Sequence, residues 1–322
     1  MTTSATVSGW PAIVLTGDAL EATVLPDRGA EICSLVHRPT RTELLFRAPW
    51  GLQPPGAPPR AGAAGHAFLE RYAGGWQELF PSVSAATTYR GETIPFHGEV
   101  ATLPWRCEAG PAGLRCTVRC ERTRFRLERT MRFEDWRLVL DESVTNEGDE
   151  LAHFVWGHHL VLGPPFLERG CMLDTPARTI ATIPELWEDT ARLEPGQHEP
   201  WPSARLRRGG TVDLREVPGP EAGIHDDVYL TDLEAGWAAV TNPRLGLRVR
   251  LDFDHRVFRW LIVWQPYGGA KEPPLTGSYA LGVEPWTSSR PLGEAVDLGE
   301  AIALEPGAAF TTSLRVGVEE LV

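Results

Sequence analysis

The chain has 322 residues, 42% of them hydrophobic, and a formal net charge of −12 from 31 basic and 43 acidic side chains. That length and composition describe a globular chain able to bury a large core. The acidic balance excludes the basic patch that a nucleic-acid or anionic-membrane partner would require, and it fits a protein acting on a neutral small molecule.

Lys271 is the only lysine, so a Schiff-base mechanism would rest on one side chain in a Gly/Pro loop. The N-terminal stretch has no basic segment leading into an apolar one, and no apolar run of about eighteen residues occurs. The expectation is a cytoplasmic protein in a reducing compartment. The five cysteines, Cys33, Cys107, Cys116, Cys120 and Cys171, are odd in number and form no CxxC. Neither a disulfide framework nor a zinc ribbon is expected from them, and Cys116 and Cys120 read as small core residues on one strand face.

Most of the chain reads as short strands. Residues 20–25 precede a turn at Pro26-Asp27-Arg28-Gly29, and residues 30–36 precede another turn before 43–46. Residues 50–65, crowded with Pro, Gly and Ala, read as a long surface loop. Next come Gly74-Gly75-Trp76-Gln77-Glu78-Leu79-Phe80-Pro81 and Phe96-His97-Gly98-Glu99.

Residues 114–120, 125–133 and 136–144 are successive strands. Phe125, Leu127, Met131 and Phe133 lie on one parity and Arg124, Arg126 and Arg132 on the other, as in an antiparallel strand with one wet face. A turn at Asn146-Glu147-Gly148-Asp149 leads to residues 154–166, where His158 and His159 stand between an apolar run and Gly163-Pro164-Pro165. Neighbours on a strand point to opposite faces, so only one of the two histidines can enter a given cavity.

Residues 174–223 read as loops and short strands, with a short helix possible within 182–193 after Pro184. Residues 224–230 carry His225-Asp226-Asp227. A hairpin follows over 236–253, then an apolar strand over 257–264, a Gly/Pro loop over 268–274, and Glu284-Pro285-Trp286. The end, 301–316, turns at Pro306-Gly307 between two strands. No repeat and no linker divides the chain, so roughly twenty short strands with almost no helix predict one large antiparallel β-sandwich domain over 1–322.

Three places put a titratable group in a compact Gly- or Pro-flanked setting: His97, the His158-His159 pair and Glu284. A carboxylate at an apolar strand end beside Trp286 is desolvated, which raises its pKa toward general-base values. No HExxH, Cys/His cluster, GxSxG or P-loop occurs, so no metal centre is expected.

Taken together, these pieces resemble the aldose 1-epimerase (galactose mutarotase-like) family, in a divergent branch. The resemblance rests on Arg28-Gly29-Ala30-Glu31-Ile32, Phe80-Pro81, His97-Gly98, Gly157-His158-His159, Asp226-Asp227-Val228-Tyr229 and Gly282-Val283-Glu284-Pro285, in that order along nearly the whole chain. It implies a β-supersandwich whose open groove binds a free hexose or related sugar and interconverts its anomers without cofactor or metal. It implies Glu284 as general base, His159 as general acid and His97 as the second histidine. It places Asp226, with Asp227 as the neighbouring alternative, on the substrate, together with His158.

The family's clamping arginine has no counterpart in Gly74-Gly75-Trp76-Gln77-Glu78-Leu79-Phe80-Pro81, which leaves Arg71 and Arg90 as substitutes, with Arg290 as a further member if the sugar carries a phosphate. Trp76, Trp105 and Trp286 are candidates to stack on a pyranose. A carbohydrate-binding protein without turnover, or a sugar lyase or hydrolase using two carboxylates across the groove such as Glu284 and Asp226, is the competing reading.

Overall fold

The alternation read over 125–133 becomes a ten-residue strand, Phe125–Glu134, with Phe125, Leu127 and Met131 buried. In the computed structural model, which describes residues 1–58, 60 and 66–321, 49% of the chain is strand and 5% helix, an all-β fold as expected. Every ladder between named strands is antiparallel among the described residues.

Two large sheets pack face to face. The eight-stranded sheet runs in space from Met172–Asp174 through Trp237–Asn242, Leu247–Phe253, Ala309–Glu320, Arg137–Asn146, Phe125–Glu134 and Gly113–Arg119 to Arg106–Gly110. The thirteen-stranded sheet starts with the meander Thr2–Val7, Trp10–Thr16, Leu20–Leu25 and Glu31–His37. It continues through Trp76–Leu79, Gly157–Leu162, Glu284–Trp286, Trp260–Tyr267 and Ile224–Thr231 to Thr179–Ala181 and His198–Pro200.

Between the sheets lies one continuous core. Leu20, Ala22, Val24, Trp76, Leu160 and Val263 of the larger sheet meet Leu127, Met131, Leu140, Leu251 and Val316 of the smaller. A second apolar cluster, including Tyr72, Leu79, Val155, Val161, Ile262 and Trp286, covers the outer face of the larger sheet. Its central strands are therefore buried on both faces, and Trp76–Leu79, Gly157–Leu162 and Glu284–Trp286 contain no exposed position. Burial on both sides explains why the neighbouring Trp260–Tyr267 reads as a nearly continuous apolar run rather than an alternating one.

Several expectations change. Residues 182–193 form no helix: the amides of Arg192 and Leu193 donate to the Asp226 carboxylate, which takes them out of any helical ladder. The α-helices among the described residues are two short ones, Ala67–Arg71 and Leu292–Asp297. The loop expected over 50–65 has no strand or helix at 50–58 and 60; residues 59 and 61–65 lie outside the described residues.

Cys107 and Cys116, expected to be free thiols, are joined by a disulfide. They are directly opposed on neighbouring antiparallel strands, nine residues apart in sequence. Spacing alone did not show that register, and an odd count leaves room for one bridge. No helix among the described residues is long and apolar enough to cross a membrane.

Candidate functional site

The strand Gly157–Leu162 sets the site. Leu160 and Leu162 belong to the inter-sheet core, so His158, on their parity, points inward, and His159 points out with Val161. His158 is fully buried: its Nδ1 accepts the Trp76 indole N–H at 3.2 Å, and its Nε2 faces Glu142 Oε2 at 3.0 Å. His159 opens instead into a cavity of about 290 Å³ on the outer face of the larger sheet.

Facing it is Glu284, whose Oε1 lies 3.7 Å from His159 Nε2. Burial pushes the Glu284 carboxyl well above the usual carboxylate range, and the charge of Asp227 pushes it further. Burial also pulls His159 down to about 3. Burial thus favours the neutral form of both members of the pair. The two groups are neighbours on the outer face of the sheet.

His97 stands beside them, its ring 5.6 Å from that of His159. Its backbone is left-handed, φ 62°, and its amide donates to the Ser84 carbonyl while Nδ1 accepts the Ser84 amide. Those bonds put the ring proton on Nε2, which makes His97 a neutral donor; burial holds its pKa well below the ordinary value, and His159 adds to that. Gly98 follows at φ 77° in contact with the Phe80 carbonyl, where a side chain would collide.

On the far side, residues 225, 227 and 229 of Ile224–Thr231 face the cavity, while Val228 and Leu230 fill the core. Asp227 therefore lines the cavity, with its carboxyl raised to about 7 by burial, and Tyr229 donates to its Oδ2 at 3.2 Å. Asp226, on the core parity, does not line it. It is ion-paired to Arg192 at 2.7 Å and caps the amides of Arg192 and Leu193. The carboxylate pair Glu284 and Asp226, considered for a hydrolase, is thus divided between two faces of the sheet.

His225 accepts the Trp264 indole N–H on Nε2 at 2.7 Å and gives its Nδ1–H to Glu188. Glu188 also accepts the Lys271 amide, and Lys271 pairs with Asp189, so the segments around 188 and 271 are clasped together at the mouth. Phe68, Tyr72, Phe96, Trp187, Trp264 and Trp286 supply aromatic wall.

The structure thus brings His97, His159, Glu284 and Trp286 together and adds Asp227. It does not bring Trp76 or Trp105 to the cavity; both rings lie in the inter-sheet core. Arg71 turns away to the Thr102 carbonyl, Arg90 to Glu150 on the surface, and Arg290 to Glu294. Tyr72, His225, Glu188 and Trp264 were not singled out as sugar contacts from sequence. For His225 the parity of the apolar Val228 and Leu230 was the available signal. Tyr72, in an irregular stretch, offered none. Among the described residues no group of three or more His, Cys, Asp or Glu is arranged to hold a metal ion.

Over residues 8–318 the sequence matches a family model described as a domain of unknown function, DUF4432. No curated protein matches. Among solved structures, the chain is similar to the Slr1438 protein from Synechocystis, at 17% identity and TM-score 0.70, covering 98% of this chain and 99% of that one. A candidate aldose 1-epimerase from Klebsiella pneumoniae superposes with TM-score 0.71 at 16% identity, covering 96% of this chain and 79% of the other. A galactose mutarotase-like protein from Lactobacillus casei gives TM-score 0.66 at 17% identity, over 96% and 100% of the two chains. At these identities the likeness establishes the fold, a galactose mutarotase-like β-sandwich.

Proposed function

The chain belongs to the DUF4432 family, and from that premise we propose that it is an aldose 1-epimerase-like isomerase, interconverting the α and β anomers of a free sugar. The observation that carries this reading is the acid–base pair His159–Glu284, 3.7 Å apart in an aromatic-walled cavity.

Anomer exchange moves two protons at one carbon. The hydroxyl on C1 loses its proton, the ring oxygen gains one, and the C1–ring-oxygen bond breaks to give the open-chain aldehyde. Rotation about C1–C2 and closure then expose the other face. Both oxygens sit on C1, so a base and an acid side by side reach them together. In the opening direction Glu284 takes the hydroxyl proton and His159, as imidazolium, protonates the ring oxygen. That leaves an acid Glu284 and a neutral His159, the state that burial favours in the free protein. Closure from it uses the same groups in reverse. A pyranose entering the resting site needs one proton passed across the pair, and the sugar's hydroxyls favour the charged form by hydrogen-bonding to it.

Each group contributes on the order of 10²–10⁴-fold. His97 Nε2–H and Asp227 stand ready to bind other hydroxyls, while Trp264 and Trp286 offer flat apolar faces to the ring carbons. No cofactor takes part in these steps.

The test is anomer exchange on freshly dissolved α-sugars, followed by polarimetry or proton saturation exchange, with wild type and Glu284→Gln side by side. Acceleration by the wild type that is lost in Glu284→Gln supports the reading. Sugar binding without acceleration replaces it with a binding protein on the same scaffold.

A further inference from the structure

We infer that this cavity is built for an uncharged sugar, gripped by the Tyr72 phenol rather than by a cation; the inference rests on the sugar reading of the site but not on turnover. The acidic side chains lining the cavity are Glu188, Asp227, Glu272 and Glu284, and among the described residues neither arginine nor lysine lines it. The cations nearest in sequence are committed elsewhere. Arg71 donates to the Thr102 carbonyl, Lys271 is paired with Asp189 at 2.7 Å, Arg290 with Glu294 at 3.7 Å, and Arg192 is held by Asp226 on the other face of the sheet.

A phosphate, sulfonate or carboxylate brought into this enclosure would lose its water and meet no counter-charge, the least favourable way to bury an anion. Glu272, exposed at the mouth, adds repulsion on the way in, as does the net charge of −12.

Tyr72 supplies what a cation would otherwise provide. It is 3% exposed, and its hydroxyl has no hydrogen-bond partner among the described residues. Its ring is fixed between Phe68, stacked at 5.6 Å, and His159, edge-on at 5.3 Å. Its backbone is fixed as well: the amide donates to Leu69 and the carbonyl accepts the Trp50 indole N–H. A buried hydroxyl held this firmly without a partner is a vacant hydrogen-bonding position, and a protein rarely leaves one unless a ligand completes it. Burial keeps the phenol protonated, so it offers one donor and two acceptor lone pairs and no charge. With His97 Nε2–H and the Trp286 indole N–H, unpartnered among the described residues, the lining residues offer neutral donors to hydroxyl oxygens.

The experiment is saturation-transfer NMR and anomer exchange on glucose, galactose, xylose and fucose, against glucose 6-phosphate and glucuronate, with wild type and Tyr72→Phe. The neutral sugars bind, and the two anionic ones bind about 100-fold more weakly or not at all. Tyr72→Phe weakens the neutral sugars about tenfold, while its melting temperature holds or rises because an unpaired hydroxyl has left the interior. Glucose 6-phosphate bound as tightly as glucose, or Tyr72→Phe with unchanged affinity and exchange, overturns the inference, as does failure of every neutral sugar to bind. If the binding pattern holds and no sugar is turned over, the isomerase reading falls and this one stands.

Discussion

Asp226 and Asp227 are consecutive on one strand and face opposite sides of the same sheet. Asp226 closes an ion pair with Arg192 and caps two backbone amides, whereas Asp227 looks into the cavity and bonds Tyr229. One is a structural carboxylate and the other a cavity-lining carboxyl. Asp226→Asn should lower stability by about 2 kcal/mol, because it strips the charge partner from a largely buried arginine. Asp227→Asn should leave the urea midpoint nearly unchanged and weaken sugar binding. Chemical denaturation and a sugar titration on both variants separate the roles; the reverse pattern would exchange them.

The acids in the interior predict an unusual dependence of stability on pH. Between the sheets, Glu78 accepts the Trp156 indole N–H at 2.9 Å and faces Arg129 at 3.3 Å, while Glu142 faces His158. Burial raises Glu78 to about 7 and Glu142 to about 8, and it lowers His158 to about 4. A raised carboxyl leaves the folded chain with more bound protons than the unfolded one between about pH 4.3 and its own pKa, so stability falls as pH rises through that window. A lowered histidine acts oppositely, but only below about pH 6.5. The two effects oppose each other from about pH 4.5 to 6.5, and only the carboxyls act above that. Urea midpoints should decline from about pH 6.5 to 8.5, and Glu142→Gln should flatten the decline. A rising midpoint over that range would show these acids to be ionised at neutral pH.

His97 sits at φ 62°, a conformation that asparagine tolerates and β-branched residues resist. His97→Asn should fold normally, lose the Nε2–H donor and raise KM about tenfold. His97→Val should lose the donor and also about 1–3 kcal/mol of stability. Equal melting curves for the two would mean that the backbone there is not constrained.

The Cys107–Cys116 bridge closes a short loop between adjacent strands. Mass spectrometry of the unreduced protein should find one disulfide, with Cys33, Cys120 and Cys171 alkylating as thiols after denaturation. Replacing both bridged cysteines by serine should cost about 2.5 kcal/mol by loop-closure entropy. A fully alkylated chain under nonreducing conditions would refute the bridge.

The strands with one wet face were legible because each announces itself through its own side chains, as Phe125, Leu127 and Met131 do between arginines. His159 and Glu284 were reachable because short local motifs surround them. Which of two adjacent acids faces the groove was not settled by the motif, although Val228 and Leu230 assign Asp226 to the core by parity. Trp76 failed as a stacking platform for the same reason, since it shares the inward face with His158. Arg129, Glu78 and Glu142 could not be foreseen. A charge is admitted to the interior only by partners from other strands, and that pairing is invisible in any one stretch.

The two-sided burial of the larger sheet has an evolutionary consequence. Trp76, Glu78, Trp156 and His158 bolt the sheet to Arg129 and Glu142 behind it, while His159 and Glu284 look outward. The inward set is chassis: changing one member strands several others, so such changes are purged together. The wall positions around His159 and Glu284, such as Trp187, Glu272 and Leu275, bear no such load. Substrate preference can drift there one side chain at a time, and a laboratory library confined to those positions would explore new sugars without loosening the fold.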